Sequence, residues 1–260
     1  SGAGYTARMT QSGGTVTANG IQFGGTSGTY NASSAANLTL SGGSLYVGLQ
    51  GITSGSAASS LPVAIKLQGG TIGASDTWSS SLNMKLGATS GGPVFQAATS
   101  GSASKNITLT GNLSNDDSVS GRLTKTGGGD LALSGSNSYS GGTTINAGRL
   151  FIGGANALPS TGAVTVNAGT LALNASGTPA FAQSITLNDG SNLSMRQAAT
   201  LSNVTLPTSG IVSFNNDDVT TQPFSLGSNV GLTGNLDIRV GGGAWAPGNI
   251  TLTGIISGTG

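Results

Sequence analysis

Three short segments of this chain align without a gap: Thr143-Thr144-Ile145-Asn146-Ala147-Gly148, Val164-Thr165-Val166-Asn167-Ala168-Gly169 and Ile185-Thr186-Leu187-Asn188-Asp189-Gly190. Successive copies are offset by 21 residues, from 146 to 167 to 188. Within each copy, apolar or β-branched residues alternate with polar ones, the period of a strand with one buried face. A second strand-like run follows each Gly: Leu150-Phe151-Ile152, Leu171-Ala172-Leu173 and Leu193-Ser194-Met195. The Gly between the two runs reads as a corner, where the backbone needs a conformation costly for a residue with a Cβ.

Looser copies extend the pattern both ways. Leu38-Thr39-Leu40-Ser41-Gly42-Gly43 leads to Leu45-Tyr46-Val47, and Ile65-Lys66-Leu67-Gln68-Gly69-Gly70 leads to Thr71-Ile72. Asn106-Ile107-Thr108-Leu109-Thr110-Gly111 recurs unchanged at Asn249-Ile250-Thr251-Leu252-Thr253-Gly254. The unit is strand, Gly corner, strand, variable turn, and often a third short strand. No stretch carries a sustained helical period of good helix formers.

Short strands at this spacing also suit an antiparallel sandwich. A sandwich gives no reason for Asn to recur at one place in three successive units. In a solenoid, each position of one coil lies over the same position of the next. Asn146, Asn167 and Asn188 then form a ladder of amides, and Ile145, Val166 and Leu187 an apolar ladder inside, followed by Leu150, Leu171 and Leu193. The sequence thus predicts an all-β parallel β-helix (β-solenoid) with about 21 residues per coil. One such solenoid over residues 1–260 makes about 12 coils and a rod roughly 55–60 Å long at strand spacing.

Composition fits that surface. Charged residues are 7%, and the formal net charge is +1. Hydroxyls and amides supply the polar surface instead, which stacked strands tolerate better than like charges placed opposite one another. Near-neutrality gives no electrostatic case for nucleic acid as a partner. No run of about 18 apolar residues occurs, so no membrane helix and no membrane insertion are expected. Cysteine and histidine are absent, and all eight acidic residues are Asp. That excludes a disulfide scaffold and a thiolate metal site.

The stretch 121–150 is more specific. It contains Leu123-Thr124-Lys125-Thr126-Gly127, then Leu131-Ala132-Leu133-Ser134-Gly135, then Asn137-Ser138-Tyr139-Ser140-Gly141-Gly142-Thr143-Thr144. It resembles the autotransporter-associated β-strand repeat, also called the passenger-associated transport repeat, with the family's glycines in place. Asp130 stands where a small or hydroxyl residue is usual. Ser12 to Gly20 resembles the second half of the motif more weakly. The resemblance implies a right-handed parallel β-helix, exported to the bacterial cell surface or beyond, serving as adhesin, fibre or stalk.

β-Helices also carry polysaccharide lyases and hydrolases. Glycoside hydrolysis needs two carboxylates about 5–9.5 Å apart. The doublets Asp116-Asp117 and Asp217-Asp218 are 101 residues apart, about five coils or roughly 24 Å. Each doublet reads as a turn, since Asn and Asp tolerate tight backbone and bond their own main chain; a turn cation is the sharper alternative. No His or Glu exists to serve as a tuned base, and serine nucleophile schemes lack one too. Arg122 and Lys125 alone among the cations are close in sequence, and solvated charge is the expectation for them. Gly127-Gly128-Gly129-Asp130 does not repeat at nine residues, unlike a calcium-binding nonapeptide. Trp78 and Trp245 are thin material for a sugar platform, although one exposed ring can anchor a glycan. Tyr46, Phe151 and Phe214 read as core or stacked ladder.

The expectation is a structural or adhesive, extracellular or outer-membrane-associated rod, not an enzyme. No catalytic, cofactor-binding or metal-binding residue and no cofactor are assigned. A polysaccharide-binding or carbohydrate-active β-helix is the alternative. Expected partners are further copies of the chain end to end, or flanking solenoid, with surface glycans as the other class. Ser12 to Gly25 resembles a continuation of the repeat and Ile255 to Gly260 its lead-in, which suits a head-to-tail contact.

Overall fold

The computed structural model describes residues 6–25, 30, 34–56, 61–174, 183–195, 199–201, 203–215, 224–226, 230–232, 236–241, 250–252 and 256–258. All strand pairs among them are parallel. The one antiparallel contact among the described residues is an isolated bridge, Ala98 to Ser104. No α-helix occurs among these residues.

The strands stack into three long faces. The first face has five strands, from Thr6–Gln11 to Leu113–Asn115. The second has nine, from Thr15–Phe23 to Val204–Thr205, and the third eight, from Trp78–Ser80 to Leu236–Gly241. Neighbours within a face come from successive coils, so the chain winds as a parallel β-solenoid. Ile145 lies beside Val166 and Val166 beside Leu187, as the aligned segments require. All three are buried, as are Leu150, Leu171 and Leu193. Each such side chain contributes about 1.5–3 kcal/mol by leaving water.

The uniform 21-residue coil is corrected. That step holds from Thr144 to Thr165 to Thr186. Earlier steps on the second face run from Thr15 to Ser44, from Ser44 to Thr71 and from Val94 to Thr124. Eight steps carry the chain from Thr15 to Thr205, so a coil of this stretch averages about 24 residues. Nine rungs span about 38 Å at strand spacing. The extra residues enter turns, and the long strands Thr15–Phe23 and Ser44–Ser54, whose pairing shifts register between Ala18 and Gly20. Only the stacked strands must keep phase, so turns vary in length without disturbing the stack.

The corner reading holds at Gly148, where φ is 66°. A Cβ there would also press on the carbonyl oxygens of Gly127 and Gly129. Phe214 is in the core, and Tyr46 is buried although it points outward, lying flat over Gly73 of the next rung. Phe151 is only half-buried, on the outer side of the third face beneath the Arg149 guanidinium, 5.6 Å from its ring centre.

Candidate functional site

Strand alternation decides where Lys125 goes. Leu123 and Lys125 alternate with Thr124 and Thr126, and Lys125 pairs in register with Ile145. It therefore faces inward and is fully buried, which corrects the expectation of a solvated charge. Its stem fills core beneath the corner, and its Nζ donates to the carbonyls of Thr126 (2.8 Å), Gly127 (2.7 Å) and Ala147 (3.0 Å). The first two belong to its own coil and the third to the next. Burial pulls its pKa down from 10.5 to about 8 against the attraction of Asp130, so it is an ammonium at neutral pH.

Three further polar side chains of the same segment point inward. Asn137 accepts from the Leu113 amide (2.7 Å) and donates to the Ala157 carbonyl (2.6 Å), tying the coil before to the coil after. The hydroxyls of Tyr139 and Thr143 are 2.7 Å apart, both buried. Burial pushes the Tyr139 phenol well up. Asn137 thus joins neighbouring coils, while the Tyr139–Thr143 pair is satisfied within its own coil.

The Asp116-Asp117 doublet lies in a turn just beyond the strand Leu113–Asn115, with Asp117 in the left-handed region at φ 53°. It also meets charges that sequence distance concealed. Lys66 and Lys85 stand side by side in register on the first face. Lys66 reaches Asp116 at 2.9 Å and Asp117 at 3.1 Å, Lys85 reaches Asp117 at 3.0 Å, and Gln68 donates to Asp116 at 2.8 Å. The bond to Asp116, then that to Asp117, raises the Lys66 pKa, and the lysines, Lys85 first, lower that of Asp117. Below this cluster, Arg8, Asn37, Thr39, Lys66 and Gln68 line an open polar groove of about 410 Å³. Asp217, Asp218 and Trp245 lie outside the described residues. Trp78 is buried, its Nε1 donating to the Gly73 carbonyl (3.2 Å), so it presents no exposed ring to a sugar.

The Asn ladder forms in the expected order. Asn167 donates to Asn146 (2.8 Å) and Asn188 to Asn167 (2.7 Å). Beside it runs a second file, whose middle members Thr144, Thr165 and Thr186 share one position in the aligned segments. Thr124, Thr144, Thr165, Thr186 and Thr205 stand in register on five successive rungs of the second face. Thr15, Ser44, Thr71 and Val94 continue that file through the earlier rungs.

Residues 123–152 and 148–173 match the passenger-associated-transport-repeat family. Residues 123–173 are passenger-associated transport repeats. No curated protein and no solved structure matches the chain. The matched residues are about a fifth of the chain, and the family's name ties the repeat to the transport of passenger domains. Here the Lys and Asn of the repeat connect successive coils, and the Tyr is bonded to Thr143 within its own coil. Asp130, the departure from the usual pattern, is taken up by Arg149 of the next rung through two bonds, at 3.1 and 2.6 Å. The inward position of Lys125 had a signal: in the repeat's own alternation it occupies the phase of Ile145. The Lys66–Lys85 pairing had none, because it spans coils whose turns differ in length.

Proposed function

We propose that this chain is a structural and adhesive rod at a bacterial surface and that it catalyses no reaction. One observation carries the reading: Lys125, Asn137 and Tyr139, the repeat's most chemically capable side chains, are buried and spent on structural bonds, Lys125 and Asn137 to neighbouring coils and Tyr139 to Thr143 of its own. What faces outward on the second face from Thr124 to Thr205 is uncharged hydroxyl and amide, material for stiffness and contact. Negative-stain electron microscopy of the intact protein should show straight, thin rods that resist protease. Compact particles, or depolymerisation of a polysaccharide by the purified protein, would overturn the reading.

The groove on the first face favours a second reading, a glycan-binding module. Arg8, Asn37, Thr39 and Gln68 offer the mixed donors and acceptors that sugar hydroxyls and a uronate would meet. Binding to an acidic oligosaccharide array that Arg8→Ala abolishes would support it. Assembly belongs to the main reading. Thr6–Gln11 and Thr15–Phe23 are edge strands of their faces, so further solenoid, flanking or from a second copy, would extend them by β-augmentation. Sedimentation across a wide concentration range tests the second copy as that partner.

A further inference from the structure

The outward side of the second face carries two parallel files over the same rungs. One is the threonine file, Thr124 to Thr205; the other is Thr126 followed by Asn146, Asn167 and Asn188. Three of these rungs therefore read Thr-x-Asn and one Thr-x-Thr. Rungs are about 4.8 Å apart, and each Asn lies one residue beyond its strand, so two residues of extended chain, about 6.6 Å, separate it from its Thr. We propose that this paired file is an ice-binding face. Its two repeats lie close to the two oxygen repeats on a prism plane of hexagonal ice.

The side chains suit that occupant. Each Thr presents a methyl and a hydroxyl from a β-branched carbon with restricted χ1, so the array is stiff before it meets anything. The Asn amides are held in line by their own ladder bonds. No register shift interrupts the pairings from Thr124 to Thr205. No charged side chain stands in either file, so the face matches an uncharged lattice and offers a charged polymer nothing to pair with. Threonine favours strands anywhere and stacks well on itself, but that preference does not account for the pattern. The outer side of the third face of the same coils carries Ala132, Phe151, Ala172 and Ser194, with no repeat in size or chemistry and with Ala172 and Ser194 buried.

The inference draws on the surface-rod reading only for where the face would meet ice; binding belongs to the face itself. Purified chain in dilute solution is partitioned between a slowly growing ice crystal and the remaining liquid, beside an inert protein, and ice recrystallisation is followed in parallel. The parent should be enriched in the ice. Thr165→Tyr and Asn167→Tyr, central and outward, should lower partition by roughly tenfold or more, the scale for a residue central to a complementary contact. Thr108→Tyr, outward on the third face, should leave it unchanged, with circular dichroism confirming that all variants fold. Folded parent rejected from ice like the inert protein, or equal losses on both faces, would overturn the proposal. So would parent that self-associates in sedimentation and becomes monomeric on Thr165→Tyr, since a second copy would then occupy the face. Rejection from ice with rods intact in the microscope removes this inference and leaves the rod.

Discussion

Replacing Lys125 with Met separates the cost of burying a charge from the value of the carbonyls it holds. The side chain is fully buried and its pKa falls from 10.5 to about 8. A tenfold loss of proton affinity corresponds to about 1.36 kcal/mol, so the folded chain holds the Lys125 proton about 3 kcal/mol less tightly than the unfolded chain does. Three bonds to carbonyls hold the ammonium in place at neutral pH, each worth about 1.5–3 kcal/mol when the donor is charged. The sign with pH follows from the depressed folded pKa. The unfolded chain binds the proton more tightly, so stability rises as pH climbs from about 8 towards 10.5 and is lost as pH falls through 8. Between pH 7 and 9.5 the parent should gain about 2 kcal/mol from this one group.

Lys125→Met keeps most of the stem and removes the titration. At pH 7 the lost bonds and the relieved desolvation should offset one another to within about 2 kcal/mol. The diagnostic is the slope: urea midpoints followed by circular dichroism at several pH values from 7 to 9.5 should rise for the parent and stay level for the variant. Stopping at 9.5 keeps Tyr139 out of the measurement. Its raised pKa makes stability fall only as pH passes the unfolded phenol value of about 10. A parent midpoint that does not move, or a Met variant that keeps the parent's slope, would refute the assignment of Lys125 as a buried ammonium.

Val166→Asp places a carboxylate in the apolar ladder between Ile145 and Leu187, and should cost several kcal/mol; a variant melting at the parent's temperature would contradict the inward phase of that strand. Asn167→Ala removes both ladder bonds at once, a loss of about 1–2 kcal/mol in all, read as a lower urea midpoint without change of secondary structure. Gly148→Ala forces a Cβ into the left-handed corner and against the Gly127 and Gly129 carbonyls. Where glycine is unstrained, the same change stabilises by up to about 1 kcal/mol; here it should destabilise by more than that amount, and the melting temperature should fall accordingly.

How much of this architecture is legible in the sequence depends on what fixes each part. Inward and outward phase is local, set by the two-residue period, so alignment alone places Ile145, Val166 and Leu187 in one buried column. The Asn ladder follows from the same alignment, because equal coil lengths carry equal positions into register. Where turns differ, register is a property of the whole stack. The columns joining Thr15, Ser44, Thr71 and Val94 step by unequal lengths, and no fixed offset finds them. The pairing of Lys66 with Lys85 and their bonds to Asp117 are hidden for that reason. Lys125 escapes for a different one. A solvated lysine weighs charge above phase, although in a solenoid phase is the stronger constraint: turning one side chain outward would flip its neighbours Leu123 and Thr124 with it. Buried carbonyls at the corner make the inward ammonium tolerable, and those carbonyls become visible only once the next coil is laid over the first.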